Sequence, residues 1–306
     1  MSAVSEPIED RLRVAIIGSG NIGTDLLVKA QRSPVLEPTM FVGRSLQSAG
    51  MAKAIALGVP VSDRSIAALQ DAHEQYDLVF DATSARDAVR HWELLEPLGK
   101  TVIDMTPANV GVMCVPAVNL TGLGAARNLN MVTCGGQASV PLAHVVGQTQ
   151  SEIEYIEVVS SIASRSGGPA TRANLDEYID TTELALQRFS GAQRTKAILI
   201  LNPAEPCVNM QTTLFAHLAS EPDMPALQAG IDAMVTQIQR YVPGYSMVVN
   251  PTYENGRIAI MVKVQGLGDY LPRYAGNLDI INCAAIAAAE QLAHTRTAAA
   301  EIGPPA

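Results

Sequence analysis

The chain has 306 residues, 48% of them apolar and 4% aromatic, and a net charge of -9. That length accommodates two domains with cores of their own. The negative balance excludes the clustered Lys and Arg that phosphate-backbone binding needs, so no nucleic-acid partner is expected.

The opening segment, MSAVSEPIEDRLR, carries Glu6, Glu9 and Asp10 and has no apolar stretch, so no signal peptide is expected there. Residues 12–18, LRVAIIG, form a short continuous apolar run ending in glycine, as a buried parallel strand does. Gly18, Ser19, Gly20, Asn21, Ile22 and Gly23 follow, and then the helical pattern TDLLVKAQRS. A strand, a G-x-G-x-x-G turn and a helix in that order form the fingerprint of a dinucleotide site. Gly18 permits the tight turn, Gly20 lets backbone approach a pyrophosphate, and Gly23 lets helix and strand pack closely.

The next strand, TMFVG, runs into Arg44 and Ser45. An NAD site usually carries a carboxylate here for the ribose 2′-hydroxyl. An arginine instead pairs with the 2′-phosphate of NADP, or stacks flat on adenine and discriminates little. The sequence leaves both readings open. Strands at 77–83, DLVFDAT, and 101–107, TVIDMTP, continue a doubly wound parallel sheet to about residue 130. Between Asp104 and Glu152 the only formal charge is Arg127, but Pro107, Asn109, Pro116 and Asn119 interrupt the stretch. No apolar helix of ~20 residues fits there, so no membrane span is expected.

At 130–141, NMVTCGGQASVP places Cys134 between an apolar run and a Gly-Gly pair. Gly135 and Gly136 give backbone N–H groups room to point at one spot, and Gln137 adds an amide donor. Those donors would stabilise a thiolate and then an oxyanion. The alternative is a small buried core residue, the usual role of a scattered cysteine. Cys114, Cys207 and Cys283 lack such surroundings and are read as structural. With no CxxC and no His at ligand spacing, neither a metal site nor a disulfide framework is expected, and a reducing cytoplasm is.

Beyond residue 150 the rhythm changes. IEYIEVVSSIAS at 153–164 and KAILILN at 196–202 read as strands, and RIAIMVKV at 257–264 alternates as an antiparallel strand does. SRSGGPATR is a turn segment. A helix is predicted over 174–189, with Leu175, Tyr178, Ile179, Thr182, Leu186 and Phe189 on one face and a capping box of Asn174 with Glu177. An Ala-rich helix over 276–296 should return to the first domain. These patterns give an α/β chain with a dinucleotide-binding domain at 1–130, joined by the final segment 276–306. An α+β domain at 131–275 follows, its open sheet face available to a second subunit.

The motifs "AIIGSGNIGTDLL", "FDATSA", "NMVTCGGQA", "NPAEP", "YVPGY" and "GLGDYLPRYAGNLDI" together resemble the CoA-acylating acetaldehyde dehydrogenases. These enzymes partner 4-hydroxy-2-oxovalerate aldolases in bacterial degradation of aromatic compounds and steroids. The resemblance covers nearly the whole chain and implies a glyceraldehyde-3-phosphate dehydrogenase-like fold, with an N-terminal Rossmann domain. It implies that Cys134 forms an acyl thioester, with NAD or NADP as cofactor and coenzyme A as co-substrate. It further implies that Ser19, Gly20, Asn21 and Ile22 hold the pyrophosphate. Ser166, Gly167, Gly168, Pro169, Ala170, Thr171, Arg172, Ala173 and Asn174 would line the cofactor site, and Asn277 would contact the nicotinamide side. A homodimer within a hetero-oligomer is the implied assembly. Two positions depart from the pattern. Relatives carry an acidic residue near Arg44-Ser45, and an Arg-Asp pair where Gln211 and Thr212 stand here. The rival readings are a semialdehyde or acyl-phosphate reductase of the same fold group, and a cofactor-binding subunit that organises an aldolase.

Overall fold

The computed structural model describes residues 11–302, excepting the side chains of 170 and 298–302. The expectation for the N-terminal segment, and the last residues of the predicted final helix, lie outside the described residues. The first half alternates strand and helix: β1 (Leu12–Ile17), α1 (Asn21–Arg32), β2 (Leu36–Val42), α2 (Ala49–Ala56), β3 (Val61–Ser62) and α3 (Ile66–Asp71). It continues with β4 (Leu78–Asp81), α4 (Ala85–Leu95), β5 (Thr101–Asp104), β6 (Val112–Met113), α5 (Pro116–Asn119) and β7 (Asn128–Asn130). All seven strands pair in parallel, in the order β3-β2-β1-β4-β5-β7-β6. The order reverses beside β1, the switch point at which open α/β sheets hold their ligands. This is a Rossmann-type sheet. The apolar run of β1 is buried on both faces, as the sequence pattern predicts.

Helix α6 (Cys134–Thr149) leads into the second unit: β8 (Ile153–Ala163), α7 (Pro169–Ala173), α8 (Leu175–Ser190), β9 (Arg194–Asn202) and β10 (Met210–Leu218). Then come α9 (Met224–Gln239), β11 (Tyr245–Glu254), β12 (Arg257–Val264) and α10 (Gly276–Ile302). The five strands form a mixed sheet, order β11-β12-β10-β8-β9, in which only β8 and β9 are parallel. One face packs on α6, α8 and α9 around Val158, Leu214 and Ile260. Among the described residues no helix of this chain packs on the opposite face. An apolar row, Val249, Met261, Thr213, Val159 and Ile198, crosses it in register.

Ala284, Ala285, Ala288 and Ala289 of α10 are fully buried against the core of the first sheet. Small side chains let this helix lie close on α1. The two helices are also clamped electrostatically: Lys29 reaches Asp25, Asp269 and Asp279, each at 2.8 Å.

Several boundaries differ from the sequence pattern. Strand β2 begins before the predicted TMFVG run, and its pairing with β1 skips Thr39 at a register shift between Val14 and Ala15, just after Pro38. Leu175 opens α8 but is exposed, because the buried face starts at Tyr178 and continues through Thr182 and Leu186. The predicted capping box is not formed: Asn174 stands at the N-cap without a side-chain cap bond. Its Oδ1 accepts instead from the backbone N–H of Ala85, at 3.4 Å.

Candidate active site

The glycine-rich turn forms as the fingerprint requires. Gly18 has φ +113°, and a Cβ there would stand 2.4 Å from the Ala82 carbonyl oxygen. A Cβ on Gly23 would stand 1.9 Å from the oxygen of Gly18, so helix and turn touch through backbone. Gly20, by contrast, faces open space. It is also the N-cap of α1 and brings no side chain to cap that helix. The first-turn N–H groups of α1 are therefore left for an anion, the arrangement that receives a pyrophosphate.

Ile22 from this helix forms one wall of a cleft whose other walls come from both halves of the chain. Thr83 follows β4, Thr106 and Pro107 follow β5, and Leu278 lies on the first turn of α10. Thr171 and Asn174 supply the side opposite, and Cys134 with Tyr178 forms the end. The structure thus brings together Ile22, Cys134, and the pair Thr171 and Asn174, from three segments far apart in sequence. Asn277, next to Leu278, is buried with neither amide atom hydrogen-bonded within the described residues. An unpaired buried polar group costs about 1–3 kcal/mol, which a ligand carboxamide at this point would recover. The turn, the open helix terminus and the orphaned amide fit a nicotinamide dinucleotide.

The other candidate residues lie apart from the cleft. Arg44 and Ser45 are exposed beyond the carboxyl end of β2, where Ser45 Oγ bonds Gln47 Oε1 at 2.7 Å. Arg44 makes no ion pair or hydrogen bond within the described residues. Ser166 Oγ donates to the carbonyl of Ala163, and Arg172 donates to Gly167 and Ser164 of its own loop. Gly167 and Gly168 lead into Pro169 at the start of α7, which continues through Ala173. The side chain of Ala170 lies outside the described residues.

Cys134 is the first residue of α6, capped by Thr133, whose Oγ1 accepts from the Gly136 N–H at 2.8 Å. The N–H groups of Cys134 and Gly135 reach the sulfur, but that of Gly136 is spent on the cap. Gln137 does not face the sulfur as an amide donor either: its Nε2 donates to the carbonyls of Cys114 and Met131. The Gly-Gly pair serves a different purpose. A Cβ on Gly135 would meet Tyr178 Oη at 2.1 Å, and one on Gly136 would meet Val132 Cγ1 at 2.6 Å. Both glycines admit a neighbouring side chain.

The turn into the cysteine is strained, since Val132 is β-branched yet has φ +61°. Asn130 holds it: its Oδ1 accepts from Val132 N–H, and its Nδ2 donates to Asp104 Oδ2 and the Thr106 carbonyl. Burial, aided by the nearby Asp81 carboxylate, pushes Asp104 up to about 7. Burial also pushes the Cys134 thiol up to about 11, against the opposing hydrogen bonds of Tyr178 and the backbone N–H groups.

Tyr178 is the residue that sequence reasoning assigned only to a helix face. Its Oη lies 3.8 Å from Cys134 Sγ. Its only sequence signal is a phenol among the otherwise apolar and hydroxyl positions of that face, and burial holds that phenol well above the usual tyrosine range. Thr212, at the second departure from the family pattern, is buried behind this point. Its Oγ1 pairs with Ser160 Oγ at 3.0 Å, and Ser160 Oγ in turn lies 3.2 Å from the Cβ position of Gly135. His144 is turned to the carbonyl of Phe189 at 3.0 Å.

Two family models match the chain. One is described as prokaryotic acetaldehyde dehydrogenase, dimerisation, over residues 134–272. The other is described as semialdehyde dehydrogenase, NAD binding domain, over residues 13–125. An acetaldehyde dehydrogenase of Spirochaeta aurantia is 63% identical over 282 residues, covering 92% of this chain and 95% of that protein. One from Pectobacterium atrosepticum is 59% identical, covering 94% and 98%. Among solved structures, aspartate semialdehyde dehydrogenase with NADP from Candida albicans matches with a TM-score of 0.64. At 12% identity, over 91% of this chain and 99% of that one, this likeness concerns the fold.

Proposed function

The chain belongs to the prokaryotic acetaldehyde dehydrogenase family, and from that premise we propose that it oxidises acetaldehyde to acetyl-CoA through a thioester on Cys134. The observation that carries this reading is that one cleft holds both Cys134 and the helix of the glycine-rich turn. A nucleophile and a hydride acceptor then meet at one carbonyl carbon. Cys134 adds to the aldehyde, and the N–H groups at the start of α6 stabilise negative charge beside it. A bound nicotinamide supplies the hydride acceptor. The resulting acyl group stays on sulfur until the thiol of coenzyme A displaces it, which keeps the oxidation energy in a thioester.

The cofactor's finer identity turns on Arg44, exposed beyond the carboxyl end of β2 and without an ion pair among the described residues: pairing with a 2′-phosphate admits NADP beside NAD, whereas stacking on adenine discriminates little. The mostly apolar row across the second sheet, exposed at Val249 and Ile198 and half-buried between them, supports a homodimer formed through that face. An aldolase partner that supplies the aldehyde, and a place in aromatic or steroid breakdown, rest on the family resemblance alone. Four free cysteines fit a reducing cytoplasm.

The test follows reduced-cofactor absorbance with acetaldehyde, comparing NAD with NADP, each with coenzyme A, with inorganic phosphate, or with neither. CoA-dependent turnover that disappears in Cys134→Ser is the expected result. Turnover supported by phosphate alone would identify an acyl-phosphate reductase. Nucleotide binding without turnover would favour the cofactor-binding subunit.

A further inference from the structure

The proposed chemistry, on which this inference rests, requires Cys134 to lose a proton in a site that burial makes hostile to the thiolate. The residues lining the cleft include no Asp, Glu, His, Lys or Arg; the threonines there are far weaker acids, and among the lining residues only Cys134 and Tyr178 carry titratable side chains. The buried charged groups on the surrounding elements are engaged elsewhere, and Asp176, Glu177 and Asp180 on the tyrosine's own helix are exposed to solvent. Behind β4, Asp81 is bonded to His91 at 2.7 Å and to Thr83. Behind β5, Asp104 is bonded to Thr106 and Asn130. On α1 and α10, Lys29 is surrounded by Asp25, Asp269 and Asp279. His144, on the cysteine's own helix, faces the Phe189 carbonyl.

Tyr178 is also held in place by a chain of hydroxyls that starts at the cysteine. Thr182 Oγ1 donates to the carbonyl of Tyr178 at 2.6 Å, so in its 2.7 Å contact with Thr133 it accepts. Thr133 in turn accepts from Gly136 N–H. The N-cap of the cysteine helix is thus tied through Thr182 to the backbone of the tyrosine. The missing Cβ of Gly135 gives the phenol oxygen its place beside the sulfur.

We propose that Tyr178 is a catalytic residue that relays the Cys134 proton to the aldehyde oxygen. As the sulfur lone pair forms the S–C bond, the C=O π pair moves onto oxygen. The thiol proton passes to Tyr178 Oη while the phenol proton passes to the new alkoxide. The tyrosine ends as it began, and a neutral thiohemiacetal stands on Cys134. No free thiolate has to persist in the buried site.

The experiment compares Tyr178→Phe, Cys134→Ser and the unaltered full-length enzyme, all in a Cys207→Ser background. Three readouts are taken: acetaldehyde turnover with coenzyme A, NAD affinity, and the pH profile of Cys134 alkylation by iodoacetamide, read by mass spectrometry. Tyr178→Phe should lower kcat by about 10²–10⁴-fold, leave NAD affinity unchanged and move the alkylation profile to higher pH. A kcat within about threefold of the unaltered enzyme, with an unmoved profile, would overturn the relay. Turnover in Cys134→Ser would overturn the nucleophile reading itself, whatever the tyrosine does. Should Tyr178→Phe fail to fold, 3-fluorotyrosine incorporated at position 178 keeps size and hydroxyl while making the phenol more acidic. The profile should then move to lower pH, and an unmoved profile counts against the relay.

Discussion

Gly135 and Tyr178 occupy one volume: the phenol oxygen sits 2.1 Å from the point where a Cβ on Gly135 would be. Helical glycine ordinarily costs about 1 kcal/mol relative to alanine, so the glycine is kept for that approach. Gly135→Ala should therefore destabilise the protein, by about 1–3 kcal/mol of overpacking, despite the better helix former. In a Tyr178→Phe background the oxygen is gone and the same substitution should cost less, a coupling of about 1 kcal/mol or more by double-mutant cycle. Urea denaturation of the four proteins measures it. Equal costs in both backgrounds would show that the two residues do not compete for this space.

Lys29 is almost fully buried, and three carboxylates from two helices and the intervening loop converge on it. Burial alone pushes its ammonium down, yet Asp25 and Asp279 outweigh that and hold its pKa above the usual lysine value. Lys29→Met would leave buried carboxylates facing each other and should cost about 3–5 kcal/mol in urea denaturation. The same change loosens the first turn of α10, where Asp279 shares its turn with Asn277, so NAD affinity should fall as well. A stable variant with unchanged NAD affinity would mean the clamp contributes to neither.

Much of this was legible in sequence where a residue type answers a local demand. Gly18 needs positive φ, Gly23 needs contact without a side chain, and the strand before them is continuously apolar. Cys134 is visible as a candidate because it adjoins Gly-Gly; the Gly135 N–H does reach the sulfur, but the Gly136 N–H and the Gln137 amide do not, and packing is a second reason for the glycines. Room for Tyr178 and Val132 requires them, and the neighbouring residue that shows this is more than forty positions away in the chain for the first. Tyr178 itself had a period-consistent place on a core face, and helical periodicity cannot tell a packing phenol from one touching sulfur. The capping box at Asn174 failed for a related reason, since its side chain is drawn to Ala85 across the cleft. Tertiary partners decided what local pattern could not.

Asp104 gives the fold a pH dependence of definite sign. Burial and then Asp81 raise its pKa to about 7 in the native state, whereas an unfolded aspartate titrates near pH ~4. Between those values the native state holds more protons than the unfolded one, so stability is full below about pH 4 and falls as pH rises toward about 7. The urea midpoint of the unaltered protein should decline across that window. Asp104→Asn, which cannot ionise, should show a flatter profile there, while exchanging one acceptor of the Asn130 bond for a donor. A slope identical to that of the unaltered protein would place the titrating group elsewhere.

Cofactor choice turns on Arg44, because its guanidinium lies exposed beyond β2 without an ion pair among the described residues. If it pairs with a 2′-phosphate, Arg44→Glu removes a charge-assisted contact and adds repulsion. KM for NADP should then rise by about tenfold or more, while KM for NAD stays within about threefold. Stacking on adenine has a different signature, because the adenine is common to both cofactors. In that case both KM values should rise together, and the reading of Arg44 as a phosphate partner fails. Steady-state kinetics with each nucleotide at saturating acetaldehyde and coenzyme A separates the two, since only the first alters their ratio.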